Sequence, residues 1–240
     1  MTLFSLARSI HIAAGVVGFI SLWLPLVARK GGTLHRRVGW VYVGAMGVVA
    51  ASALVLSGSR FVLEPAARST ALFFIYLSAQ SAAASSLGVR VLRARHRTGA
   101  HRSLLDLAMA GLLLGLGLFT AGWGVVMHVP LLWGFAPVGI YTGATTLHYW
   151  LNPPKERMHW WFQHMGAMVT SGIGTLTAVL VVNARHLGIS GMQLAVFLAP
   201  TVVGVTGLRI WKRYYRQKFS PRPTATSTPS DAVPPALSGE

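Results

Sequence analysis

The side chains best suited to chemistry are concentrated in His148–Gly166, where His148, His159 and His164, with five aromatic residues, flank a Pro153-Pro154 turn. Proline cannot continue a helix, so the chain reverses there. With 152–157 as the turn, His148 ends one helix and His164 lies inside the next. At about 1.5 Å of rise per residue, their depths differ by only about 4–5 Å. Two imidazoles on facing helices can ligate a haem b or a metal ion, or pass a proton. They are also the polar residues expected where a helix meets a membrane surface. His148 and His164 are therefore the first candidates for cofactor ligands, with His35 and His101 in reserve.

Two further ionisable residues stand out. His11 sits a few residues inside the first apolar run, and Asp106 follows Arg102 at a spacing that lets the two pair on one helix face. Ionisable groups within apolar spans are costly and often functional, which gives both a second reading as proton carriers. Met168 lies one turn beyond His164, a combination that a soft metal accepts. Two ligands do not make a site, and no metal site is assigned. His128 and His186 fall at the opposite ends of their helices and are expected to be solvated.

These residues need helices to position them, and composition says in which solvent. The chain is 53% hydrophobic and 11% charged. A soluble domain carries about 25% charged residues. Cysteine is absent, which excludes disulfides, thiolate metal sites and cysteine nucleophiles. The formal charge of +16 would suggest nucleic acid in a soluble protein, but here the basic residues lie between apolar runs. Their expected partners are the lipid bilayer and its anionic headgroups, not nucleic acid.

Seven charge-poor stretches, at about 5–28, 38–59, 69–92, 104–127, 131–151, 158–183 and 192–211, are long enough to cross a bilayer as helices. They are apolar on every face, without the alternation of a barrel strand. The expected fold is an all-α integral membrane bundle of seven helices over residues 1–218. Of the 21 Lys and Arg residues, all but Arg8, Arg60, Arg68 and Arg185 fall on one side of this arrangement. The positive-inside rule then places the N-terminus outside and the C-terminus in the cytoplasm. Residues 219–240 are rich in Pro, Ser and Thr and are expected to form a disordered cytoplasmic tail.

Within the spans, the third carries Ser78, Gln80, Ser81, Ser85 and Ser86 among alanines, the composition of a buried central helix. Gly111 and Gly115, then Gly139 and Gly143, have the spacing of close-packing motifs. Pro137 predicts a kink in the fifth span. Trp150, Trp160 and Trp161 read as an interfacial aromatic belt.

His35-Arg36 and His101-Arg102 open two even-numbered spans in the same way, a faint internal duplication. His11-x-x-x-Gly15, His35-Arg36-x-x-Gly39-x-x-Tyr42 and Ala100-His101-Arg102 together resemble a bacterial family of predicted membrane proteins, domain of unknown function 2306. The resemblance covers roughly residues 10–110. It implies a multispanning protein of the bacterial inner membrane and carries no activity.

No nucleotide-binding loop, dinucleotide fingerprint, zinc-protease or serine-hydrolase motif is present. That points away from an enzyme, and no catalytic residue is assigned. Three functions compete: assembly or sensing without chemistry of its own, haem b electron transfer through His148 and His164, and transport of a small molecule or proton using Asp106 and histidines.

Overall fold

In the computed structural model of the chain, residues 3–189 and 193–219 are described, the side chains of 193–195 excepted. The segment 220–240 lies outside them, so the expected disordered tail does too. The described residues form seven α-helices and no strand: α1 Leu3–Val27, α2 Thr33–Leu63, α3 Arg68–Arg93, α4 Leu104–Val126, α5 Pro130–Leu151, α6 His159–Asn183 and α7 Gln193–Phe219. A single 3-10 turn, Pro65–Ala67, leads into α3.

The helices α1, α2, α3, α4 and α6 are long and apolar enough to cross a membrane. The remaining two, α5 and α7, are diluted by Thr142, Thr145, Thr146 and His148 and by a basic final third. Both of these helices wall the principal cleft described below.

The polarity of the bundle is inverted relative to a water-soluble protein. Val27, Leu104, Val126 and Val203 are 71–84% exposed. Ser81, Ser85, Thr120, Ser171 and Thr177 are buried. Apolar side chains on the rim match a lipid solvent, and interior hydroxyls bond backbone carbonyls one turn back, as Ser85 and Thr175 do.

Helices α3 and α6 form the central pair, with the α1–α2 hairpin on one side and the α4–α5 hairpin on the other; α7 packs on α6. Loops 28–32, 94–103 and 152–158 collect at one end, called here the basic end. The α1–α2 turn there uses Gly31 at φ +75°, a conformation that favours glycine. Lys30 closes the end of α1 by donating to the carbonyls of Pro25 at 2.7 Å and Leu26 at 2.6 Å. Burial pulls its pKa below the ordinary lysine value.

The close approach of α4 and α5 uses Gly143 of the predicted set and Gly117, which was not predicted. Gly111 and Gly115 face open space. A Cβ at Gly143 would meet the Leu114 backbone nitrogen at 2.6 Å, and one at Gly117 the Ile140 nitrogen at 2.8 Å. The Gly-x-x-x-Gly spacing in α4 thus points outward, while glycines on the α5-facing side make the contact.

Pro137 leaves α5 a continuous helix but changes its ladder. The Tyr76 hydroxyl, reaching over from α3, donates to the Phe135 carbonyl at 2.9 Å and accepts from the Gly139 N–H at 2.6 Å. Those two backbone groups would otherwise bond each other. Insertion of a neighbouring side chain is a usual way to satisfy a helix opened by proline.

Candidate functional site

The wide gap between α5 on one side and α6 and α7 on the other is the principal cleft. Helices α5 and α6 are consecutive yet do not pack along their lengths. The cleft measures about 1150 Å³. Beyond its far end, Phe73, Phe135 and Phe197 meet edge to face at 5.3–5.6 Å. Its walls in the middle mix apolar side chains, among them Leu113, Val138 and Ile173, with Gln80, Thr142, Thr146 and Thr170. Tyr141, 70% exposed, stands on its rim. The Thr177 hydroxyl, on this wall and 1% exposed, makes no hydrogen bond.

The mouth, at the basic end, is charged. Asp106 is held there in the first turn of α4, where the helix dipole favours an anion. Arg90 of α3 grips both carboxylate oxygens, through Nε to Oδ1 and through Nη2 to Oδ2 at 2.8 Å. His101 Nε2 adds a bond to Oδ2 at 2.9 Å. The expected partner, Arg102, is exposed instead. It follows Asp106's own loop outward, whereas Arg90 projects from the neighbouring helix into the bundle.

The same network ties the 94–103 loop to the end of α5. The His101 ring lies 4.7 Å from that of Trp150, and its backbone N–H donates to the Trp150 carbonyl. Arg97 donates to the carbonyls of Tyr149 at 2.5 Å and Asn152 at 3.1 Å, closing the C-terminus of α5. Trp150 is 1% exposed, so it is a core residue and not part of an interfacial belt. On the other side of the mouth, Tyr149 Oη bonds His159 Nδ1 at 2.8 Å, bridging α5 to the start of α6.

The histidines separate into different environments. His148 is exposed at the mouth, and its Nδ1 accepts from the Asn152 side-chain amide at 3.1 Å. Its ring lone pair is thereby occupied. His164 turns the other way, with Nδ1 donating to the Gly88 carbonyl at 2.7 Å. The ring beside it belongs to His35, at 6.2 Å between centroids. His35 Nδ1 donates to the Pro25 carbonyl at 3.2 Å. Carbonyls only accept, so both of these Nδ1 atoms carry protons and both Nε2 lone pairs are left for other partners. The structure brings together His35 with His164, and His101 with Asp106; His148 and His164 are not paired.

As donors, His35 and His164 suit an axial pair for haem b. Neither ring lines either of the two clefts. Among the described residues no three His, Asp or Glu side chains converge on a metal position.

His11 belongs to a second cleft, of about 520 Å³, between α1, α2, α3 and α6 and opening toward the end opposite the basic one. Its Nδ1 lies 3.2 Å from the Val49 carbonyl and 3.1 Å from Ser52 Oγ. Arg8, Arg60 and Asn183 stand at this mouth, over apolar walls. Leu77 of α3 and Gly174 of α6 line both clefts. A Cβ on Gly174 would lie 2.8 Å from Ser81 Oγ, so a single close helix contact separates them. Sequence reasoning picked out His11 and Asp106 but neither cleft, and it passed over Arg90, Arg97, Tyr149 and Lys212. Tyr149-Trp150 beside Pro153-Pro154 was the available signal for the mouth.

No family model matches the chain, nor does any curated protein or solved structure.

Proposed function

We propose that the protein is a seven-span protein of the bacterial inner membrane, with its N-terminus outside and its basic end in the cytoplasm, that binds a small molecule and carries it across. The apolar exterior and the one-sided basic loops support the membrane orientation. The observation that carries the transport reading is the pair of clefts. They enter from opposite ends and meet back to back at Leu77 and Gly174. A protein that lets a solute reach the bilayer's middle from either side, without an open pore, needs that arrangement. Asp106 is a structural anchor in this reading: its carboxylate is already engaged by Arg90 and His101.

The chain has no cysteine, so single cysteines report access directly. Ser78→Cys lies in the second cleft and Thr170→Cys in the principal one. In sealed vesicles of known orientation, a membrane-impermeant thiol reagent is expected to label Ser78→Cys from outside and Thr170→Cys from the cytoplasmic side. Labelling of both from the same side would refute the proposal.

A further inference from the structure

The charges around the principal cleft do not balance. Its acidic lining residues are Asp106 and Glu156. Asp106 is taken by Arg90 and His101, and Glu156 by Arg216 at 2.9 Å. Lys155, Arg209 and Lys212 line the same mouth and have no carboxylate within ion-pair distance among the described residues. Lys212 is half-buried on the cleft wall, its Nζ 3.5 Å from where a Cβ of Gly166 would stand. Three cations without an ion pair around one opening call for an anion.

Above this mouth the cleft is elongated, and Leu113, Val138, Ile173 and Val205 line it together with Gln80 and the threonines of α5 and α6. Lys212 and Thr201 line it at two heights on α7, about 16 Å apart along the helix. Half of a bilayer's hydrocarbon thickness is about 15 Å. A compact anion held at the mouth would leave the apolar part of this wall, Leu113, Val138, Ile173 and Val205, unmatched. One acyl chain, its head held at the mouth, would cover it. Because α5 and α6 do not pack on each other, such a chain can enter sideways from the surrounding lipid.

We propose that the principal cleft holds an anionic amphiphile of the inner leaflet. Its phosphate-type headgroup lies at Lys155, Arg209 and Lys212, and its chain lies along the gap between α5 and the α6–α7 pair. The second cleft also sets cations, Arg8 and Arg60, over apolar walls, with Arg60 paired to Glu64 at 3.8 Å. An amphiphile is therefore also the substrate class that the transport reading would carry. The inference rests on that reading for its role in transport, and on the cleft alone for binding.

The test is titration of dodecyl phosphate into the full chain, purified in a neutral maltoside detergent and followed by calorimetry. Saturable binding is expected, with an affinity lowered about tenfold or more when Arg209→Gln and Lys212→Gln are combined, for the loss of two charge-assisted contacts. Arg36→Gln, exposed and outside the cleft, is expected to bind like the unaltered chain. Thr201→Trp, which fills the deep end, is expected to weaken dodecyl phosphate and spare butyl phosphate.

Inorganic phosphate binding as tightly as dodecyl phosphate would overturn the amphiphile and leave a small-anion site. Equal binding of dodecylphosphocholine would overturn the charge argument. An unchanged affinity in the double variant would overturn the location. Binding that behaves as expected, combined with same-side cysteine labelling, would defeat transport alone. Opposed labelling without dodecyl phosphate binding would defeat this inference alone.

Discussion

Replacing Asp106 with asparagine tests whether the mouth of the cleft is built as described. The side chain is 4% exposed and takes N–H bonds from Arg90 Nε, Arg90 Nη2 and His101 Nε2. Asparagine keeps the shape but offers one acceptor oxygen and turns an amide N–H2 toward the guanidinium. Removing one member of a buried ion pair costs about 3–5 kcal/mol. The side chains of Arg90 and His101 are 26% and 35% exposed, so water compensates part of the loss. The lower limit, about 3 kcal/mol, is the expected cost. For a chain of this length that is a fall in Tm of roughly 6–12 °C. Thermal unfolding in neutral detergent, followed by tryptophan fluorescence, would measure it, with Trp150 on the His101 ring as a local reporter. Arg102→Ala is expected to change stability by less than about 0.5 kcal/mol. The combined Arg90→Met and Asp106→Leu replacement should recover most of the loss, because a well-packed apolar pair substitutes for a buried ion pair. The reasoning fails if Asp106→Asn melts with the unaltered chain, or if Arg102→Ala falls as far.

Four further outcomes are expected. Tyr76→Phe removes the hydroxyl from the α5 ladder and should cost about 1–3 kcal/mol, with faster amide exchange at Gly139; unchanged exchange there would contradict the insertion. Gly143→Ala drives a Cβ into the Leu114 backbone and should cost about 1–3 kcal/mol. Gly111→Ala, which faces open space, should be neutral or stabilise by up to about 1 kcal/mol, and the reverse order in thermal unfolding would refute the α4–α5 contact. Burial, then the neighbouring Arg216, pull the pKa of Lys212 below the ordinary lysine value of 10.5, against an opposing effect from Glu156. Its proton is lost on raising the pH earlier than a solvated lysine's, so dodecyl phosphate affinity should fall with pH below 10.5 in calorimetry, and a loss only above that value would refute the assignment. Protein purified from haem-replete cells is expected to be colourless; a visible haem band bleached by His164→Ala would instead make His164 a haem ligand.

The helices were legible because lipid imposes a length and an apolarity that can be read from charge-free intervals alone. The central place of α3 was legible for the same reason, since only protein neighbours reward a Ser- and Gln-bearing face. The partners were not. Asp106 sits one helical turn from Arg102, and spacing alone cannot show that Arg90, from another helix, comes closer. His148 and His164 share a depth, but depth leaves the angle around each helix free. That angle turns His164 toward Gly88 and His35, away from α5. On α4 the spacing picked Gly111 and Gly115 and passed over Gly117 for a similar reason: the four-residue spacing is a property of one helix, and which face meets a neighbour is a property of two. The principal cleft leaves no periodic mark, because it is defined by helices that fail to pack, α5 and α6.

The Tyr76 hydroxyl makes the backbone pairing of α5 depend on α3. Were α3 to draw back, the Phe135 carbonyl and the Gly139 N–H could bond each other, and no backbone group would be stranded. The phenol thus stands in the place of one backbone bond of α5. Since α3 also borders the cleft on its other flank, a ligand that displaces it there would be registered as a change of curvature in the opposite wall.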